Sequence, residues 1–119
     1  MGFTYVRVAL SNPANPAKSV EIELLIDTGA VFTAIPRKLL EELELKPITR
    51  RKLRIFGGQI VERDIGGVSV KYKEASAVVP VIFSEEADTP VLGTTALEAL
   101  GYQVDPITRQ LKPVELLMI

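Results

Sequence analysis

Hydrophobic and polar positions alternate along much of the chain with a period of two, the mark of strands that bury one face. "FTYVRVAL" (residues 3–10) mixes aromatic and β-branched residues in rough alternation, and "SNPANPAK" (11–18) is dense in turn formers. A strand followed by a loop is expected there. In "VEIELLI" (20–26), Val20, Ile22 and Leu24 alternate with Glu21 and Glu23 before the run turns wholly apolar. A strand that begins half exposed therefore enters the core just before Asp27.

The period lengthens in "PRKLLEELEL" (36–45), where Leu39, Leu40 and Leu43 recur every three to four residues behind Pro36, a residue suited to a first helical position. A short amphipathic helix ending before Pro47 is expected. Alternation returns in "RKLRIFGGQIVERDI" (51–65), on both sides of Gly57-Gly58, the two-residue glycine signal of a β-hairpin. Gly66-Gly67 marks a second turn, and "VSVKY" and "ASAVVPVIF" read as strands around Lys73-Glu74. "SEEADTP" (84–90) is a polar loop and "VLG" a short buried strand. "TTALEAL" (94–100) predicts a helix with Thr94 as N-cap, Ala96, Leu97 and Leu100 on one face, and Gly101 as C-cap. A final hairpin, "YQVDPITRQLKPV", turns at residues 106–109. Together these predict about seven or eight strands and two short helices, an all-β domain with helical punctuation.

Composition narrows the chemistry more than the fold. A chain of 119 residues, 47% apolar and 24% charged, is expected to form one domain over residues 1–119. A net charge of −1 argues against electrostatic binding of nucleic acid, since the basic stretch "TRRKLR" lies close to acidic ones. The chain has no Cys and no His. That removes disulfides, thiolate and imidazole metal sites, and Ser-His or Cys-His nucleophilic catalysis. Any catalysis must use carboxylates, Lys, Tyr or backbone groups, with no metal or other cofactor called for. No apolar run approaches the roughly 20 residues of a membrane span, and neither a signal peptide nor a myristoylation signal is visible, so a cytoplasmic protein without membrane association is expected.

Within this pattern "LLIDTGAVFTAIP" (24–36) stands apart. Asp, Thr and Gly are all turn formers, and taken alone Asp27-Thr28-Gly29 reads as an Asx-turn. An apolar lead-in, Asp-Thr-Gly-Ala and a further apolar run arise together by chance in about one chain of this length in several thousand. The string also sets a carboxylate where the core begins, and a buried carboxylate must be paired, hydrogen-bonded or protonated.

The motif resembles that of the retropepsins, the retroviral-type aspartic proteases. The resemblance continues through "RIFGGQIV" (54–61), similar to their glycine-rich flap, and "VLGTTALEALG" (91–101), similar to their second apolar-apolar-Gly segment and short helix. It covers Val20 to Val114; the helix expected at 36–45 is longer than in viral members, and the last hairpin, "VDPITRQLKPV", resembles prokaryotic relatives more than viral ones. The resemblance implies an all-β, retropepsin-like closed β-barrel, one lobe per chain, and an aspartic endopeptidase that hydrolyses peptide or protein substrates. Such catalysis needs two carboxylates close enough to share a proton. This chain has one Asp-Thr-Gly; Asp64, Asp88 and Asp105 lack the apolar lead-in. A homodimer would supply the pair, each copy giving Asp27.

On this reading the catalytic set is Asp27, Thr28 and Gly29. Thr28 is expected to hydrogen-bond across the dimer axis, and Gly29 to let the backbone turn close to the carboxylate. Ala30, where some relatives have Ser, lacks a hydroxyl to donate to the dyad, which sets the expected activity optimum nearer neutrality. Leu25, Ala30, Pro90 and Val91 are the expected walls for apolar substrate residues, with Leu92 as core. Phe56, Gly57, Gly58 and Ile60 would form the covering flap. The apolar tail "ELLMI" (115–119) is expected at the dimer interface. Two other readings fit less of the pattern: a homodimeric peptide-binding module that kept the fold without turnover, and a small barrel scaffold with an incidental motif.

Overall fold

The computed structural model describes residues 3–55, 57–116 and 118. Its first two strands, β1 (Tyr5–Asn12) and β2 (Asn15–Ile26), form one long antiparallel hairpin with Tyr5 opposite Leu25 and Ser11 opposite Ser19. The loop expected at residues 11–18 is thus mostly strand. Only Pro13 and Ala14 turn, and the Asn12 side chain supports them by accepting the Ala14 N–H at 2.9 Å while donating to the Leu43 carbonyl. Alternation then does what it predicts: Val6, Val8, Leu10, Leu24 and Ile26 are buried while Arg7, Glu21 and Glu23 stay exposed.

After residue 32 come β3 (Thr33–Pro36), α1 (Arg37–Glu42), β4 (Thr49–Arg54), β5 (Ile60–Tyr72), β6 (Ala75–Ser84), β7 (Val91–Leu92), α2 (Thr94–Leu100), β8 (Tyr102–Val104) and β9 (Leu111–Pro113). β3 has no counterpart in the sequence reading, because Thr33, Ala34, Ile35 and Pro36 show no alternation. Helix α1 is shorter than the span 36–45: Pro36 ends β3, and Glu44 turns left-handed at φ 62°. Its expected face is nevertheless right, with Leu40 and Leu43 buried and Leu39 packed against the core.

Seven strands form one sheet in the order β1-β2-β7-β3-β6-β5-β4, with a further pairing of β1 to β5 through Leu10 and Val70. β8 and β9 make a separate two-stranded ribbon whose connection turns on Asp105, where the carboxylate accepts the Ile107 and Thr108 N–H groups. Tyr102 of the ribbon meets Tyr72 edge to face, 5.0 Å between ring centres. The core gathers Val68, Val70, Val79, Val81, Phe83 and Leu92 from the sheet with Leu40 and Leu43 from the α1 segment and Ala96, Leu97 and Leu100 from α2.

Gly66-Gly67 is not a turn. β5 runs straight through it, with Gly66 opposite Val81 and Gly67 opposite Pro80. A Cβ at Gly66 would lie 2.9 Å from the edge of the Phe83 ring and 3.2 Å from the Lys46 carbonyl. Glycine is there so that an aromatic ring and the backbone at Lys46 can close on the strand. The Gly57-Gly58 hairpin is observed: both residues have positive φ (100° and 88°), and Gly58 N–H donates to the Ile55 carbonyl at 3.0 Å.

Candidate functional site

The segment 27–32 joins β2 to β3, two strands that are not neighbours, because β7 lies between them. Leu25 and Ile26 pair in parallel with Val91 and Leu92, while Ala34 pairs with Val91 from the other side. The connection must therefore pass over the end of β7. Asp27 N–H donates to the Leu92 carbonyl at 3.1 Å as the chain leaves the sheet. Gly29 N–H then donates to Asp27 Oδ1 at 2.9 Å, and Ala30 N–H to the Asp27 carbonyl at 3.1 Å, closing a tight corner. A Cβ at Gly29 would come 3.3 Å from Oδ1, close enough to press on the carboxylate.

Beyond the corner, the Ala30 and Val31 carbonyls accept the N–H groups of Thr94 and Thr95 at 2.8 and 3.1 Å. These are orphan donors in the first turn of α2, so the loop itself caps the helix. The N-cap is Gly93 and not Thr94, since the loop carbonyls have taken over the capping role. Gly93 has no room for a side chain: a Cβ would lie 2.6 Å from both the carbonyl carbon and oxygen of Phe32. Its N–H donates to the hydroxyl of Thr33, which is completely buried. Gly101 closes the same helix as expected, left-handed at φ 80°.

The corner faces outward. Asp27, Thr28 and Gly29 are all exposed, so in the single chain the carboxylate is not buried as its apolar lead-in suggests. Ile26 is the last buried residue of β2, and the turn to cross β7 carries Asp27 out of the core. The expected partners are also placed: Leu25 is half-buried next to Val91, Pro90 is half-buried, Val91 is 8% exposed and Leu92 is wholly buried. Val91 is thus nearer to core than to pocket wall. Ala30 is half-buried and Ile60 is exposed near the hairpin tip; Phe56 lies outside the described residues.

Among the four aspartates, Asp27 is in a distinct situation. Asp64 accepts from Arg37 at 2.7 Å and Arg50 at 3.0 Å, and the Arg37 hydrogen bond holds its carboxyl below the usual range. Asp88 receives both Nε and Nη2 of Arg63, at 2.8 and 3.0 Å, with the same effect. Asp105 is held low chiefly by the Ile107 N–H. Asp27 has one oxygen positioned by its own turn, and Oδ2 meets no hydrogen-bond donor or cation among the described residues.

A family model described as gag-polyprotein putative aspartyl protease matches residues 17–99. The chain belongs to this retropepsin-like aspartyl protease family. The matched span takes in the Asp27 corner, the Gly57-Gly58 hairpin and the Val91-Leu92-Gly93 segment. No curated protein matches the chain.

Several features of this retropepsin-like chain carry no signal in its sequence. The bidentate Arg63–Asp88 pair ties the hairpin strand β5 to the loop before β7, with side chains only 16% and 22% exposed. Arg51 of β4 lies over the ring of Phe32, 5.5 Å from its centre, so the hairpin also reaches the loop that follows Asp27. Thr33 carries no mark of its role, although its buried hydroxyl holds Gly93. Among the described residues no three His, Cys, Asp or Glu side chains gather as a metal-binding group, and no helix is long and apolar enough to cross a membrane.

Proposed function

We propose that the chain is an aspartic endopeptidase that works as a homodimer, with Asp27 of each protomer forming one dyad. The observation that carries this reading is the Asp27 corner: a carboxylate fixed by a braced turn, exposed, and with one oxygen uncommitted, in a chain whose other three aspartates are engaged. Family membership supports the chemistry. The β1–β5 pairing, which returns the sheet to its first strand, supports reading the sheet as the closed barrel of one lobe.

A lone exposed carboxylate is a weak base. Two of them brought together cannot both ionise, so one holds a proton and the other does not. The ionised member takes a proton from a water molecule as its oxygen attacks the scissile carbonyl carbon, while the protonated member donates a hydrogen bond to the carbonyl oxygen. The two roles belong to the pair and not to either copy. The Thr28 hydroxyl, exposed and without a hydrogen bond to another described residue, is available to fix the two corners against each other.

The surroundings of the corner favour a second copy as its cover. Ile26 N–H donates to the Thr4 carbonyl, which brings the N-terminal segment beside Asp27, and there Phe3 and Tyr5 are 71% and 58% exposed. On the side of Thr28, Leu97 and Tyr102 line a groove of about 340 Å³ together with Val114 and Leu116 of the tail, and Leu116 is 64% exposed. Exposed apolar side chains clustered around a motif mark an interaction surface.

The test is digestion of a diverse peptide library between about pH 4 and 7, with Asp27→Asn as control. Cleavage by the wild type that disappears in Asp27→Asn is expected; cleavage that survives the substitution refutes the mechanism. Peptide binding without cleavage by the wild type would point to the silent binding module.

A further inference from the structure

The hairpin of β4 and β5 has two faces set by its register. Directly opposed residues share a face, so Arg51 and Arg63, Leu53 and Val61, and Thr49 and Ile65 lie on one side. Arg50, Asp64, Lys52 and Glu62 lie on the other. The first side turns toward the body: Ile65 is buried, Leu53 and Val61 are half-buried, and Arg63 grips Asp88 just before β7. Arg51 on that side lies over Phe32. The Phe32 backbone in turn packs on Gly93, next to the Leu92 carbonyl that takes the Asp27 N–H. Arg51 therefore stands over the segment that leaves the Asp27 corner.

Its charge is unspent. Arg50 pairs with Asp64 and Glu62, Arg63 with Asp88, and Arg54 donates to the Gly58 carbonyl. Among the described residues Arg51 has no carboxylate within salt-bridge distance; its guanidinium meets only the face of an aromatic ring. A guanidinium held over a ring face keeps its N–H donors open while sampling fewer rotamers, which suits two-point recognition of a carboxylate.

Resting on the reading of the site as a peptide-binding cleft, we propose that Arg51 determines specificity by binding an acidic side chain of the substrate peptide, a Glu or Asp close to the scissile bond. On that reading Leu25 and Pro90 take apolar residues, and Arg51 adds one requirement for negative charge. It acts in binding and takes no part in the chemical step.

The experiment uses the full chain and sets of peptides identical except for Glu, Gln or Lys at one position, scanned along the peptide. Binding is measured by fluorescence anisotropy to Asp27→Asn, which needs no turnover, and cleavage is measured with the wild type. At one position the Glu peptide should bind about tenfold more tightly than the Gln peptide, the scale of one charge-assisted bidentate contact. Arg51→Ala should bring the two within about twofold, Arg51→Lys should restore part of the preference, and Arg51→Glu should favour Lys. In cleavage the difference should fall on KM and shrink with added salt. Equal binding of Glu and Gln peptides at every position, a Glu preference that survives Arg51→Ala, or no peptide binding at all overturns the inference. Binding with the expected preference but no cleavage by the wild type upholds the role of Arg51 and overturns the protease reading instead.

Discussion

Gly93 and Thr33 hold the Asp27 corner, though neither belongs to the Asp27-Thr28-Gly29 triplet. At Gly93 any side chain meets the backbone of Phe32, and backbone cannot swing aside as a side chain does. Gly93→Ala should therefore destabilise the fold by about 3 kcal/mol in denaturant titration, near the upper end of overpacking costs. Thr33→Val keeps the shape but leaves the Gly93 N–H without its acceptor, and should cost about 1–3 kcal/mol. Both changes should lower activity further than stability alone explains, because they loosen the crossing over β7. Asp27→Asn, by contrast, keeps an oxygen for the Gly29 N–H at an exposed position, so its stability should stay within about 0.5 kcal/mol of the wild type. Ala30→Ser would add a hydroxyl beside the dyad and should move the acid limb of the activity profile to lower pH; an unmoved limb would show that Ala30 does not tune it. The sequence shows the motif because its residue types are rare in that order. It does not show Thr33, since nothing local distinguishes a threonine whose hydroxyl is buried from an exposed one.

The hairpin shows how far an element can be read from pattern. Alternation and Gly57-Gly58 are local signals, and the turn is where they put it. Gly66-Gly67 carries the same local signal yet lies inside a strand, because its cause is the distant Phe83 ring and no local pattern encodes that contact. The ion pairs that orient the hairpin are equally invisible, as the partners are far apart in sequence. Arg63 and Asp88 matter most, being bidentate and largely shielded. Asp88→Asn should lower stability at neutral pH by about 1–2 kcal/mol, allowing for residual solvent screening. The sign of the pH effect follows from the lowered Asp88 value. A carboxyl held below its unfolded value contributes stability that is present above about pH 4 and is lost as pH falls through the folded value. Urea titrations below about pH 5 should thus show the wild type losing stability more steeply than Asp88→Asn; parallel slopes would show that the pair is not formed in solution.

At the scale of the molecule, the sheet order decides where Asp27 stands. Inserting β7 between β2 and β3 forces their connection to cross a strand end, and that crossing lifts Asp27 out of the core. The apolar lead-in makes the aspartate look buried, but pairing order is a non-local property and alternation reports only which faces meet the core. In the proposed dimer each chain is then a half-site. A single lobe offers one carboxylate, and the exposed Phe3, Tyr5 and Leu116 near it offer a surface for a second copy. Sedimentation at micromolar concentration should therefore find a dimer, and activity per mole should fall on dilution through the dissociation range.

The proposed sharing of Asp27 between two copies is tested by mixing. A fixed amount of wild-type chain is equilibrated with increasing Asp27→Asn chain, and cleavage of one reporter peptide is followed. If each active site takes one carboxylate from each copy, mixed dimers are dead, and activity should fall progressively toward zero as wild-type chains are drawn into them. Activity that stays constant under a large excess of Asp27→Asn would mean that each chain acts alone, contradicting the account.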